Sequence, residues 1–465
     1  MEKFFQLKKQ GTTVKTEILA GMTTFMTMAY ILMVNPGMFS ELGVVSYHAI
    51  FIATALSAMI GTLLIGLLAN LPLAQASGMG LNAFFVYTVC FGFGLSYANA
   101  LVLVLLDGII FIILTITGIR EKIFSSIPDS VRIAIPAGIG LFIAFIGLQD
   151  AGLIIANSST CVTLASFNIF NGNATWADVM PLLITIFTLI FIAVMSAKQI
   201  KGAVFFGILG GSVCYYLLGF TVTGFYEGFS DKLQMNPFSA FQEFGTQAFG
   251  KVFTEGFDFS AYLSEHSMTG LVILIISTSL AFCLVDMFDT LGTLYGACSR
   301  GNLLTKDGKI PNFEKAMLSD AIATVFGSIC GTSTVSTYVE SSAGIAEGGR
   351  TGLSSIVTAG LFFIAMFLSP IAALIPGCAT SAALIYVGVL MMACVINITW
   401  TDPVIAVPAF LAIAMMPFSY NISYGIAFGL IAYIFIKLFT GKWEEIKIGT
   451  WIIGILFTIM FFITH

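Results

Sequence analysis

Gln75-Ala76-Ser77-Gly78-Met79-Gly80-Leu81-Asn82-Ala83-Phe84-Phe85 opens an apolar run, 78–92, with glycines and an asparagine. Behind that polar entrance too little apolar length remains for a full transmembrane helix, which takes roughly 20 residues. A second stretch has the same character: Gly331-Thr332-Ser333-Thr334-Val335-Ser336-Thr337-Tyr338-Val339-Glu340, a hydroxyl-rich, β-prone run that turns into Ser341-Ser342-Ala343-Gly344. Short, glycine-interrupted segments at corresponding places in two halves of a membrane protein mark a binding site near the bilayer midplane. Extended backbone at that depth is stable only when it is buried in protein or lines a cavity. Half-helices starting there would turn free N–H groups and the positive ends of their dipoles toward a ligand.

The rest of the chain supplies the membrane around these two stretches. Hydrophobic residues make up 58% of the 465 and charged residues only 9%, against roughly 25% charged in a soluble domain. Apolar runs fall near 17–35, 47–69, 78–92, 98–118, 132–155, 178–197 and 201–220. A polar loop, 221–267, interrupts them, and runs resume near 268–290, 314–330, 337–347, 352–375, 380–397, 403–418 and 421–440. The two short segments are therefore third and tenth of fourteen. A last apolar piece, 448–464, reads equally as a crossing or a surface helix. With the N-terminus in the cytoplasm, all of the 19 lysines and arginines except Lys232 and Lys251 fall on the inner side, as the positive-inside rule requires. Seven spans per half reverse the second half across the membrane, the condition for an inverted repeat. Trp176-Ala177-Asp178 and Trp400-Thr401-Asp402, seven spans apart, add weak internal similarity.

Three carboxylates stand inside the apolar runs. Asp286 and Asp289, in Leu284-Val285-Asp286-Met287-Phe288-Asp289-Thr290, are one helical turn apart, and Glu340 lies in the tenth segment. An ionised side chain at mid-bilayer costs ~2.5–3.5 kcal/mol or more, so each needs a partner, a proton or a wet cavity. Asp289, eleven residues before Arg300, reads as the most interfacial of the three, and Asp107 in the fourth span is a further candidate. Such acids can carry a proton and can accept N–H bonds from a polar ligand. Asn82 and the hydroxyl of Thr337 add polar contacts, and Phe25, Tyr30, Phe84, Phe85 and Phe288 offer faces for a flat solute. Together these residues suggest a small planar hydrogen-bonding solute moved with protons. No nucleophile–base pair, CxxC pair or metal cluster can be assembled, and the three histidines stand alone, which argues against an enzyme. No basic cluster supports nucleic-acid binding. A channel would more naturally show a repeated pore element.

Several ordered motifs carry a resemblance. They are Ala20-Gly21-Met22-Thr23-Thr24-Phe25-Met26-Thr27-Met28-Ala29-Tyr30-Ile31-Leu32 with Asn35-Pro36, then Gly78 to Phe85, then Asp286-Met287-Phe288-Asp289-Thr290-Leu291-Gly292-Thr293-Leu294. Glu340-Ser341-Ser342-Ala343-Gly344-Ile345-Ala346 with Gly348-Gly349-Arg350-Thr351-Gly352-Leu353 follows, and Pro408 to Pro417 with Gly425-Ile426-Ala427-Phe428-Gly429 completes them. Over nearly its whole length the chain resembles the AzgA-type hypoxanthine–adenine–guanine permeases of the nucleobase–cation symporter superfamily. The resemblance implies an all-α membrane protein with the seven-plus-seven inverted-repeat fold and short extended strands in the third and tenth segments. It implies a core domain, 1–118 and 268–375, moving against a gate domain, 119–220 and 376–465, with 221–267 an extracytoplasmic loop. It further implies uptake of a purine base with a proton, the base lying between the third and tenth segments near the eighth. Asn82, Asp286 and Glu340 match residues important for binding or transport, Asp289 matches an acid of the same motif, and Phe25, Phe84, Phe288 and Thr337 are further expected contacts. Glu340, Asp286 and Asp289 are the expected proton-coupling residues. No cofactor is implied beyond the coupling proton, with sodium left open as its substitute. Related folds often form dimers through the gate domain. A uracil, xanthine or other small-solute transporter of related fold is the alternative. Two departures stand out: Ser77 replaces the usual proline before Gly-Met-Gly, and Ile405 replaces a frequent glutamate after Asp402.

Overall fold

The computed structural model describes residues 2–118, 126–226, 236–300, 303–305 and 310–464. Arg120, Lys122, Lys232, Lys306 and Lys309, used above to orient the chain, lie outside the described residues, as does the side chain of Phe288.

Each half of the chain repeats one order of elements. The first begins with α1 (Val14–Met28) and α2 (Ile31–Ser40), which share one broken span, and continues with α3 (Tyr47–Leu64), β1 (Gln75–Ser77), α4 (Met79–Ala83) and α5 (Tyr97–Thr117). Then come α6 (Asp129–Asp150), a hairpin of β2 (Ile154–Asn157) and β3 (Cys161–Leu164), α7 (Trp176–Ala197) and α8 (Ala203–Gly219). A loop helix, α9 (Pro237–Gln247), leads to the second half: α10 (Met268–Arg300), α11 (Phe313–Cys330), β4 (Val335–Thr337), α12 (Ser341–Ala346), α13 (Gly352–Ala365), α14 (Gly377–Met392), α15 (Pro403–Phe418) and α16 (Ile422–Phe439). The terminal apolar piece forms α17 (Ile448–Thr464) and packs on α16 and α10. Among the described residues nine helices are long and apolar enough to cross a membrane.

Three boundaries differ from the reading of apolar runs. The fifth run was expected to 155, but α6 stops at Asp150, where Gly152 turns left-handed (φ +71°) and the chain enters the β2–β3 hairpin. The eighth is expected to 290, yet α10 runs 33 residues from Met268 to Arg300, its last turns held by burying Leu294, Ala297 and Cys298 with Ile65, Ala69 and Met317. The eleventh, expected as one helix, changes to a tighter turn at Met366. Tryptophan–aspartate pairs at 176–178 and 400–402 mark helix starts in two ways. Asp178 completes a reciprocal cap with Thr175, whereas the Asp402 carboxylate accepts from the Val404 amide at 3.0 Å.

Helix packing sorts the elements into two groups. α1 to α5 pack among themselves and with α10 to α13, while α6 to α8 pack with α14 to α16. Close crossings inside the first group need small residues. α13 begins at Gly352 against the backbone of Gly66, and a Cβ at Gly352 would overlap the Gly66 carbonyl. Between the groups run α4 and α10 against α6, and α14 against α2. Lys201 forms an ion pair with Glu347 across this boundary.

Candidate functional site

The two short segments meet. β1 and β4 pair antiparallel in the register Gln75↔Thr337, Ala76↔Ser336 and Ser77↔Val335. All six residues are buried, so their backbone groups must bond to each other rather than to water. The Gly78 amide donates to the Thr334 carbonyl at 2.9 Å and the Tyr338 amide to Ala74 at 3.0 Å, extending the ladder at both ends. Pairs 74/338, 76/336 and 78/334 carry the ladder bonds, leaving Ser77 at a non-hydrogen-bonded position. A proline there would remove no ladder bond, so the strand register accommodates either residue. Ser77 uses its hydroxyl instead, 2.7 Å from that of Thr332.

Beyond β1, Gly78 is extended (φ −67°, ψ 125°) and α4 starts at Met79, continuing as a wider helix through Phe84–Gly92. The opening amides of a helix have no carbonyl a turn earlier to bond. Here they belong to Met79, Gly80 and Leu81, which all line a cavity of about 240 Å³. The opening of α12 differs: Ser341, Ser342 and Ala343 donate back to Tyr338, Val339 and Glu340. The third segment therefore offers its N-terminus to the cavity, and the tenth offers side chains.

Those side chains are Thr337, Tyr338 and Glu340, joined at the cavity wall by Tyr30 from the first span and by Asp289, Gly292 and Thr293 from α10. The facing wall comes from the other helix group, with Pro136 and Ile139 of α6 and Val387, Leu390 and Met391 of α14. Glu340 Oε1 accepts from the Tyr30 hydroxyl at 2.7 Å, and Asp289 Oδ2 accepts from Ser336 Oγ at 2.9 Å. A Cβ at Gly78 would lie 3.6 Å from Asp289 Oδ2, so this carboxylate sits at the positive end of α4, where helix dipoles favour negative charge. Both acids are half-buried, each with part of its side chain open to the cavity. Asp289, expected nearest the interface, instead faces the cavity.

Asp286 and Asn82, expected to touch a ligand, are fully buried behind the wall. Positions three apart on a helix differ by roughly 60° in direction, enough to aim Asp289 at the cavity and Asp286 at α11. There the Thr290 hydroxyl lies 3.5 Å from Asp286 Oδ1 and 3.0 Å from both oxygens of Asp320. Gln75 Nε2 donates to Asp320 Oδ1 at 3.3 Å and to Thr337 Oγ1 at 3.2 Å. A network thus runs from Asp286 through Thr290, Asp320 and Gln75 to Thr337 at the cavity. Asn82 accepts from the Ser333 hydroxyl and supports the strands. Asp107 accepts from Thr334 Oγ1 at 3.3 Å, again behind β4. Phe25 packs edge-on against Phe362 and Phe84 against Phe282, and neither lines the cavity. The sequence reading missed Asp320 and Gln75 and treated Tyr30 only as a stacking face.

The cavity extends toward the end of the molecule that carries the N-terminus. Its lining runs from Val285 to Thr293 along α10 but includes only the early residues Pro136 and Ile139 of α6. At the opposite end the helix groups close on each other. The Tyr420 ring, between α15 and α16, makes edge contacts with Tyr87, Phe142 and Phe145, at 5.7, 5.4 and 6.1 Å. Thr88 Oγ1 donates to the Tyr420 carbonyl at 3.1 Å.

Two interrupted segments paired among the membrane-spanning helices, a cavity between two helix groups, and one closed end define a membrane transporter. The chain belongs to the xanthine/uracil permease family: the profile described as Permease family matches residues 15–428. It is 41% identical over 461 residues to a putative permease of Methanocaldococcus jannaschii, covering 99% of this chain and 98% of that one. It is 38% identical to the guanine/hypoxanthine permease PbuO of Bacillus subtilis, covering 99% and 100%, and 35% identical to the adenine permease AdeQ of Escherichia coli, covering 99% and 95%. Among solved structures the transmembrane domain of the cyanobacterial bicarbonate transporter BicA shares the fold, with a TM-score of 0.61 at 15% identity over 90% of this chain and 97% of that one.

Proposed function

We propose that this permease imports purine nucleobases across the cytoplasmic membrane by proton symport, with its N-terminus in the cytoplasm. One observation carries the site assignment: Glu340 and Asp289 share a cavity wall with the opening amides of α4. Purine bases present ring N–H donors beside ring nitrogens or a carbonyl oxygen. The Glu340 carboxylate accepts an N–H, and the α4 amides meet the acceptors, so a base lacking either would leave buried groups unpaired. The curated relatives named for adenine and for guanine/hypoxanthine support this substrate class. Fixed oxygen and N–H groups also suit such a base better than the bicarbonate moved by BicA, since among the described residues no lysine or arginine lines the cavity.

The proton resides on Glu340 or Asp289, with Asp286 coupled from behind through Thr290 and Asp320. Protonation from outside favours loading, and loss of the proton to the cytoplasm favours release. The group α1–α5 with α10–α13 acts as the core that carries the base, and α6–α8 with α14–α16 as the gate. The arrangement described here, open toward the N-terminal end and sealed at Tyr420, is the inward-facing state. Uptake of radiolabelled hypoxanthine into vesicles, with and without an imposed acid-outside gradient, tests the reading. Acceleration by the gradient and its abolition by a protonophore are expected, with adenine or guanine competing and uracil not. Uptake indifferent to the gradient would refute the coupling, and competition by uracil alone would refute the substrate class. Glu340→Gln with unchanged uptake and affinity would refute the site.

A further inference from the structure

Tyr30 stands at a break in its own span. α1 ends at Met28 and α2 begins at Ile31, so Ala29 and Tyr30 form a turn in the middle of the first span. The Leu32 amide donates to Ala29 and the Met33 amide to Tyr30 across this turn. The side chain is 1% exposed, yet it reaches the cavity wall and donates to Glu340 Oε1 at 2.7 Å. Three residues earlier, Thr27 Oγ1 lies 3.3 Å from the Glu340 carbonyl. The Thr27 hydroxyl bonds first within its own helix, 2.8 Å from the Thr24 carbonyl, so Tyr30 is the firm link from this turn to Glu340.

The other polar groups near Glu340 have different partners. The Tyr338 hydroxyl donates to the Ser77 carbonyl at 2.5 Å, Ser336 donates to Asp289, and Gln75 bridges Thr337 to Asp320. Among the described residues Tyr30 is the side chain that hydrogen-bonds the Glu340 carboxylate. A flexible glutamate in a cavity must be ordered before it can accept a bond from a ligand, at a cost that weakens binding. A hydroxyl on one oxygen removes that cost in advance and leaves the other oxygen for the ligand.

We propose that Tyr30 is a positioning residue for base recognition: its hydroxyl fixes Glu340 Oε1 so that Oε2 is presented to a ring N–H of the base. This rests on the purine reading above and adds to it a residue whose effect passes entirely through Glu340. The ordering cost saved corresponds to about a tenfold gain in affinity.

The test is a double-mutant cycle on the full-length purified protein, with binding of tritiated hypoxanthine as the readout. Tyr30→Phe keeps the ring and removes only the hydroxyl, and is expected to weaken binding about tenfold. Glu340→Gln alone weakens it at least as much, and in a Glu340→Ala background, where the hydroxyl has no acceptor, adding Tyr30→Phe changes affinity by no more than about twofold. Losses that multiply in the double variant would overturn the proposal while leaving the Glu340 assignment intact. Unchanged binding in Glu340→Gln would instead overturn the purine site itself. Should Glu340→Ala abolish measurable binding, transport by Tyr30→Phe alone decides. A tenfold rise in KM with Vmax within twofold supports a positioning role. A fall in Vmax at unchanged KM overturns it, because that is the mark of a packing or motional defect.

Discussion

Asp320 shows how a single residue can organise a membrane interior without touching its cavity. Fully buried in α11, it accepts from the Thr290 hydroxyl and the Gln75 amide. Removing this acceptor leaves the Thr290 hydroxyl only the longer contact to Asp286 and Gln75 only Thr337, at about 1–3 kcal/mol. Asp320→Ala is therefore expected to lower the thermal midpoint of the detergent-solubilised protein, and an unchanged midpoint would show the network to be dispensable. Ser77→Pro should be mild, within about 1 kcal/mol, because it costs one hydroxyl contact and no ladder bond. A collapse in folded yield would contradict the register deduced for β1 and β4. At this scale the sequence was only partly legible. Glu340 declared itself by lying in an apolar run with no nearby cation. Asp320 did not, because Glu314 and Lys315 make its surroundings read as a span boundary, and its partners are 30 and 245 residues away. Asp286 and Asp289 could be located in one motif, but their opposite duties depend on how α10 is rotated against its neighbours.

Among the elements, the paired half-spans were the most legible feature, since glycine, hydroxyl and β-branched residues interrupt an otherwise apolar chain at the third and tenth places. Their unlike endings were not. Whether an opening amide faces a cavity or folds back on its own turn depends on the conformation at Gly78 and at Tyr338–Glu340, which composition does not encode. Helix crossings give a sharper test. Gly352→Ala would press a methyl group into the Gly66 backbone, and overpacking of this kind costs about 1–3 kcal/mol. Gly377, at the start of α14, has open space around the same added atom. Gly352→Ala is expected to broaden the size-exclusion profile and lower the thermal midpoint, whereas Gly377→Ala leaves both near wild type. Equal behaviour of the two would mean that the α3–α13 crossing is looser than described.

For the molecule as a whole, the aromatic seal around Tyr420 opposes the open end of the cavity. If the two helix groups move against each other during transport, this seal must part. Tyr420→Ala removes the ring contact with Tyr87 that joins the two helix groups, along with the α6 contacts that hold the ring in place, and is expected to shift the population toward the outward-open arrangement. A cysteine at Thr88, which is 1% exposed, would report it in a background lacking the eight native cysteines. Labelling of Thr88→Cys by a membrane-impermeant thiol reagent should be slow in the parent and faster by about tenfold with Tyr420→Ala, and equal rates would show the seal to be passive.

The strand pair also has a meaning for how the chain is made. Gln75 and Thr337 stand 262 residues apart, so the ribosome releases β1 long before β4 exists. Until then the growing chain carries an extended polar segment within its first membrane half, with no ladder partner. The insertion machinery must therefore shelter that segment, or leave the first half incompletely inserted, until the second half arrives. On the site proposed above, the recognition surface is completed only in the last third of synthesis, since a nascent chain ending before Glu340 lacks the carboxylate assigned to the base.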